Sequence, residues 1–565
     1  MGGEDEGERA ETGPRGEVAL EGIACGGGEP REGGDGGELE EIGHWAEGGD
    51  GCRGVRLQGE GRQIPAGGGG RDGLGKGMGR ALIIVHYHYR PGGVRQVVEW
   101  GAAAVARCWG CDRVVMLGGE RVPEGWRGEF ERAVFPIPVR WECDAGWGYW
   151  SEFAGEGGAE ELLRREVGSG DVVWAHNLSV GRRLRLGAMV VRVAEAAGAS
   201  VWLHQHDWWW DGRWERWVEF GEQGVESLEE AVALTFPAGE RVRTVAVNAA
   251  DARFARDVLG RACGFGGNPL VRVEPGRAAV EEALEWLRGM SGGRPVWVYP
   301  ARALRRKNFA EAVLVMRAVD DGAMLVTTGG VSSGAERGWY AGMERAVEEG
   351  GWPVRLAVAE EGGAPTVPAM MGAAEAVVMS SLREGFGLPW WEAAVLRRPL
   401  LARRLAGTRE TLEAVGLGAS AAWDAVMVSR ETFDAGAEEE RVGERRERVL
   451  GMLPGELRGV VRGCAEESGG LVDFGALSFE AQREVVDCGV GLEERWNSWL
   501  GKVRGGMRVP AEVDEVRAGP EAWAARFCGM GPDGGGLRGG CGGERLGAAL
   551  GVVVREWLRH PLLWP

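Results

Sequence analysis

The stretch Glu384-Gly-Phe-Gly-Leu-Pro-Trp-Trp-Glu392 sets two carboxylates on either side of a turn that follows an apolar run. Gly385 and Gly387 allow a tight backbone path, and Pro389 suits the first turn of a helix whose free N–H groups face the strand end. Both glutamates are expected to point into one cleft, where carboxylates accept hydrogen bonds from polyol hydroxyls. A helix acid that merely favours the dipole would explain Glu392 but not Glu384 or the two glycines. Upstream, Arg302 and Lys307 stand five apart in VWVYPARALRRKNFAEAV, between a strand-like and a helix-like run. Two cations at a strand's carboxyl end can neutralise a diphosphate, Arg through forked hydrogen bonds and Lys as a point charge. The chain uses arginine almost throughout and keeps only Lys76, Lys307 and Lys502, so a lysine in this loop favours a ligand over a solvated basic loop.

Five of the seven histidines fall at predicted strand ends: His86 and His88 after ALIIV, His176 after DVVWA, and His204 and His206 in SVWLHQH. That placement favours a cleft-lining role over scattered, hydrogen-bonded histidines. Zinc is the rival reading, since His-x-His in an extended segment puts both rings on one side, but no third ligand is forced by spacing. Gly92 and Gly93 separate a strand from a helix and let backbone N–H groups approach an anion or a sugar, although Pro-Gly-Gly is also an ordinary turn. Cys108 and Cys111 have the spacing of a redox pair but sit in a connection at a helix end, and are read as two reduced thiols.

The elements that must position these residues alternate strand, helix, strand from residue 81 onward. ALIIV, RVVML, DVVWA, SVWLH and RVRTVAVN form one series; PVWVY, AMLVTTG, VRLAV, AEAVVMS and PLLA form a second. Strands apolar on both faces predict α/β architecture with two doubly wound parallel sheets, whose ligands lie at the strands' carboxyl ends. The glycines of RGMSGGR, within residues 286–294, are read as the flexible join. The expected divisions are a Gly/Glu-rich disordered extension over 1–78, a first Rossmann-like domain over 79–288, and a second over 289–430, which the resemblance described below makes the acceptor-side and nucleotide-sugar domains. A helical closing segment over 431–502 and a Gly-rich tail over 503–565 with a terminal helix follow, and the functional chain is expected to begin near Met78. Net charge of -19 at 565 residues argues against a broad nucleic-acid surface. No apolar run is long enough to span a membrane and no secretory signal is evident, so the expected location is cytoplasmic, with peripheral contact at the inner face of the membrane at most.

With these residues in place, the chain resembles the retaining glycosyltransferases of family 4, which share the two-domain GT-B fold. The resemblance runs from residue 81 to about 415 and rests on Glu384-GFGLPWW-Glu392, on the Arg302/Lys307 pair, on Gly92-Gly93, and on Gly407-Thr-Arg-Glu410. It implies transfer of a hexose from a nucleotide-diphosphate sugar to a saccharide, lipid-linked or other hydroxyl acceptor with retention at the anomeric carbon, as in polysaccharide biosynthesis. It also implies that Arg302 and Lys307 bind the diphosphate, and that Glu384 contacts the hexose and Glu392 the ribose, with Gly385, Phe386, Gly387 and Leu388 between them. His206 resembles the family's cleft histidine and is assigned with Glu384 to catalysis, and His176, His204 and Asp207 are assigned to the acceptor side. No metal or other cofactor is implied. The density of Trp208, Trp209, Trp210, Trp214 and Trp217 departs from the family pattern, and reads either as a stacking platform for an acceptor or as a packed cluster. An epimerase or phosphorylase of GT-B fold, and a non-catalytic sugar-binding protein, are the alternatives. The first calls for catalytic carboxylates in the first domain, the second for a pyridoxal lysine, and the third for degraded donor motifs.

Overall fold

The structure is a computed structural model, and it describes residues 79–149, 157–331, 334–414, 416, 422–462, 470–489, 503, 507, 514–530 and 543–564. The extension read as disordered and the Met78 start lie outside the described residues. The two expected parallel sheets are present. The first has seven strands in the order β3-β2-β1-β4-β5-β6-β7. These are β1 Ala81–His86, β2 Arg113–Gly118, β3 Val139–Cys143, β4 Val172–His176, β5 Ser200–Gln205, β6 Val242–Ala246 and β7 Gly264–Phe265. The second has six, in the order β10-β9-β8-β11-β12-β13. They are β8 Val296–Tyr299, β9 Met324–Thr327, β10 Val354–Arg355, β11 Ala376–Met379, β12 Leu400–Arg403 and β13 Ala422–Trp423.

Every residue of β1, β4, β8, β11 and β12 is buried, as helix-covered parallel strands require. The strand order reverses between β1 and β4 and again between β8 and β11, and the loops that carry the predicted site leave these switch points. A short antiparallel pair, β14 Met427–Ser429 and β15 Leu471–Asp473, follows the second sheet.

The chain passes between the sheets earlier than the glycines of 286–294 imply. Helix Arg277–Ser291 runs through that stretch and ends on Gly292, which holds the left-handed conformation of a helix C-cap. Its Leu287 is buried in the core of the second sheet, and Val280 packs where a side chain on Gly372 would stand. Arg277–Ser291 therefore belongs with the second sheet, not the first.

The helices after residue 430 serve both halves. Phe474, Leu477, Ala481 and Val485 enter the second core. Val449, Leu450 and Leu457, with Leu550, Val554 and Trp557 of helix Gly543–Leu558, close over the tryptophans of the first half. Trp523 and Phe527, in the segment Asp514–Gly529 that breaks at Gly519-Pro520, cover β4 and β5. No helix among the described residues is long and apolar enough to cross a membrane.

Candidate functional site

The loop after β8 folds into a single 3-10 turn, Arg305–Lys307, and Asn308 then takes a left-handed conformation to start helix Phe309–Val319. That turn buries Lys307 and aims its ammonium at the loop after β11, where it meets Glu384 Oε1. The same oxygen accepts from Ser381 Oγ at 2.7 Å, and Ser381 Oγ lies 2.9 Å from Tyr299 Oη. Tyr299 Oη also donates to the Lys307 carbonyl at 2.7 Å, and Leu382 N donates to the Arg306 carbonyl at 2.9 Å. The two loops are thus stitched together beneath the site. Desolvation lowers Lys307 to about 8, with Glu384 opposing the shift and Arg306 adding to it. Burial pushes Glu384 up, but Lys307 and Arg306 outweigh it and hold the carboxylate below its usual range. Arg302 lies on the exposed side of the loop, near enough for its charge to reach both Lys307 and His88.

Gly385 is where the first half touches this loop. A Cβ on it would stand 2.8 Å from the His206 carbonyl oxygen, and Asn248 Nδ2 donates to its own carbonyl at 2.9 Å. Gly387 caps helix Leu388–Val395 at a φ of 78°, where a side chain would strike the Trp390 ring. Phe386 stacks on Trp391 and accepts from Thr411 Oγ1 through its carbonyl. Gly407 packs against the Glu384 carbonyl, and Glu410 pairs with Arg253 at 2.7 Å.

The two glutamates do not share surroundings. Glu392, on the helix after the turn, is raised by burial and hydrogen-bonded by Gln96 of helix Gly93–Cys108. It lines an apolar hollow with Trp100, Leu270 and Leu388. Gly92 and Gly93 open that same helix with clear space where a Cβ would stand.

On the first sheet, β4 and β5 pair with His176 beside His204, and His206 follows two residues later. The trio that spacing along the chain did not force is assembled by this register. His176 Nδ1 and His206 Nε2 lie 3.2 Å apart, and all three rings are held neutral by burial above all. His176 and His204 are 0% exposed, so neither can meet an acceptor, and the acceptor-side assignment of these two is withdrawn. His206 keeps a foothold at the surface, with its backbone N–H and that of Asp207 both donating to Asn177 Oδ1. Asp207 is desolvated, yet Arg213, Arg383 and Arg306 together hold it ionised. His86 is buried against the His176 carbonyl at 3.0 Å, and burial lowers it to about 3.

Trp208, Trp209, Trp210 and Trp214 are buried, and Trp209 donates to Thr235 Oγ1 at 2.9 Å. Of the two readings of this cluster, the packed one holds. Cys108 and Cys111 are free thiols. Sequence reasoning missed Asn248 and Asp251, which cap and open helix Ala249–Arg253 directly under Gly385. Burial raises Asp251 to about 6, against its hydrogen bonds to Asn248 and Trp208. Their signal was present, since Asn at a strand end three residues before Asp is a helix-capping pattern.

Residues 264–460 match the family described as family 4 glycosyltransferase in conflict systems. Among solved structures, HepE of Anabaena in complex with UDP-glucose is similar at 15% identity and a TM-score of 0.43, over 58% of this chain and 82% of that one. Sucrose-phosphate synthase of Thermosynechococcus elongatus is similar at 17% identity and a TM-score of 0.42, over 60% and 84%. The α,α-trehalose-phosphate synthase of Burkholderia vietnamiensis is similar at 14% identity and a TM-score of 0.38, over 60% and 85%. No curated protein matches the chain.

Proposed function

We propose, from the match of residues 264–460 to the family 4 glycosyltransferase model, that this protein transfers a hexose from a nucleotide-diphosphate sugar to an acceptor hydroxyl with retention at the anomeric carbon. The observation that carries the reading is the buried Lys307–Glu384 contact, which joins the loops at the carboxyl ends of β8 and β11 directly beneath the His206–Gly385 approach. Lys307 and Arg302 neutralise the donor diphosphate, and Glu384, released from Lys307 as phosphate oxygens take over the ammonium, accepts from hexose hydroxyls. Glu392 accepts from the ribose. His206 presents a neutral imidazole to the hexose from the first half.

In the reaction the anomeric C–O bond to the diphosphate breaks, and the acceptor oxygen forms the new bond on the same face. A phosphate oxygen of the departing diphosphate takes the acceptor's proton. The charge that develops on that diphosphate is met by two preorganised cations, which is where electrostatic catalysis is strongest. The acceptor is a saccharide, lipid-linked or other hydroxyl compound, and the site of action is the cytoplasm or the membrane's inner face.

The test is calorimetric titration of nucleoside diphosphates and their sugars into the full chain beside Lys307→Ala. One nucleotide is expected to bind, and to weaken at least tenfold in the variant, about 1.4 kcal/mol. Absence of binding by every member of the panel, in protein shown to be folded, overturns the proposal. With a turnover substrate in hand, NMR of the product's anomeric proton reads retention or inversion.

A further inference from the structure

We propose that His176, His204 and His206 form a metal site, holding zinc or another imidazole-preferring divalent ion through one nitrogen of each ring. The site shares His206 with the transferase reading, whose diphosphate cations stand on the other sheet, and the metal test below does not depend on that reading.

The geometry is that of ligands around an ion. One nitrogen from each of the three rings lies within 4.8 Å of the others. An ion that holds nitrogens tetrahedrally at roughly 2.0–2.1 Å sets them about 3.3 Å apart and their ring centres about 5 Å apart. His176 Nδ1 and His206 Nε2 are 3.2 Å apart, and the three pairs of ring centres are separated by 4.7, 5.4 and 5.5 Å. The rings converge because parallel pairing sets His176 beside His204, while His206, two residues on, returns to the same face.

His204 is prepared as a ligand. Its Nε2 lies 2.9 Å from the Gly267 carbonyl, which can only accept, so the proton is on Nε2 and Nδ1 carries a lone pair. That Nδ1 is buried with no hydrogen-bond partner. A carbonyl behind an imidazole is the usual outer support of a metal ligand, because it fixes both ring orientation and tautomer. The neighbouring carboxylate, Asp207, is engaged by Arg213 and Asn177. Trp174, Trp523 and Phe527 pack around His204 and give the site a dry wall. Of the three, His206 is the least buried, at 9% exposure against 0% for His176 and His204.

The experiment measures metal in the purified full chain by mass spectrometry, then strips it with a chelator and titrates cobalt(II) while recording visible absorption. One equivalent is expected, with the intense d–d bands of tetrahedral cobalt and no thiolate charge-transfer band, displaced by zinc. His176→Gln and His204→Gln should lose the bands while keeping their far-UV circular dichroism, and His88→Ala should keep both. Failure of the stripped wild-type chain to bind either cobalt or zinc overturns the site, and this result does not depend on the variants folding. Undiminished binding in both glutamine variants overturns it as well.

Discussion

Lys307 enters the site carrying a burial cost, and the cost makes it responsive to pH. Desolvation lowers it to about 8, against an ordinary value of 10.5. Diphosphate binding needs the ammonium, so affinity should fall as pH rises from about 7 through about 9, across the interval where a group with a pKa near 8 gives up its proton. Lys307→Arg keeps its charge over that range and should flatten the profile, with calorimetric Kd at several pH values as the readout. The linkage to stability runs the other way. Between about 8 and 10.5 the unfolded chain holds more protons at this residue than the folded one, so its contribution to stability rises with pH there. Gly385 makes a second residue-level case. A methyl group 2.8 Å from the His206 carbonyl meets backbone, which cannot swing aside as a side-chain tip can. Gly385→Ala is therefore expected to destabilise the chain by about 1–3 kcal/mol, the usual cost of overpacking, read as a lowered urea midpoint.

At the scale of elements, Arg403 at the end of β12 joins three parts of the second half. It pairs with Glu311 on helix Phe309–Val319 at 2.8 Å and with Asp473 on β15, while Trp423 on β13 donates to Glu311 at 2.7 Å. Removing the cation leaves Glu311 fully buried beside a second carboxylate, and a broken buried pair costs about 3–5 kcal/mol. Arg403→Met should show that loss in urea unfolding, with Glu311 then favouring its protonated form. None of this network was legible in the sequence, where neither Glu311 nor Arg403 stands in a motif that marks it. What was legible has a common cause: β1, β4, β8 and β11 are continuous apolar runs, and the GFGLP turn has residue types that few backbone paths require. The edge strands β3, β7 and β13 escaped because they are short or half-exposed and carry no such run. Gly292 misled because a helix C-cap and a flexible link use the same residue. The histidine trio depends on which residue of β5 lies beside His176, and register across a sheet is not written in either strand alone.

In the whole molecule the chain after residue 430 binds the two sheets to each other. It enters the second core at Phe474 and Ala481, lays Trp523 and Phe527 on the first sheet, and then packs Leu550 and Trp557 against the buried tryptophans beside the histidines. Its Trp564 is buried, and the carbonyl of that residue accepts from Arg305 at 2.6 Å, in the very turn that presents Lys307. A perturbation in helix Gly543–Leu558 should consequently be felt in both halves. Leu550→Ala empties a fully buried position, and such truncations cost about 2–5 kcal/mol. Tryptophan fluorescence reports mainly on the first half and its helical cover, while bound nucleotide reports on the loops of the second. If the halves are coupled as the packing requires, denaturant titrations followed by the two signals should coincide in the parent chain and shift together in Leu550→Ala. A fluorescence transition that moves alone, with the nucleotide signal left at its original midpoint, would show that the sheets unfold as independent units and that the C-terminal helices only cover the first.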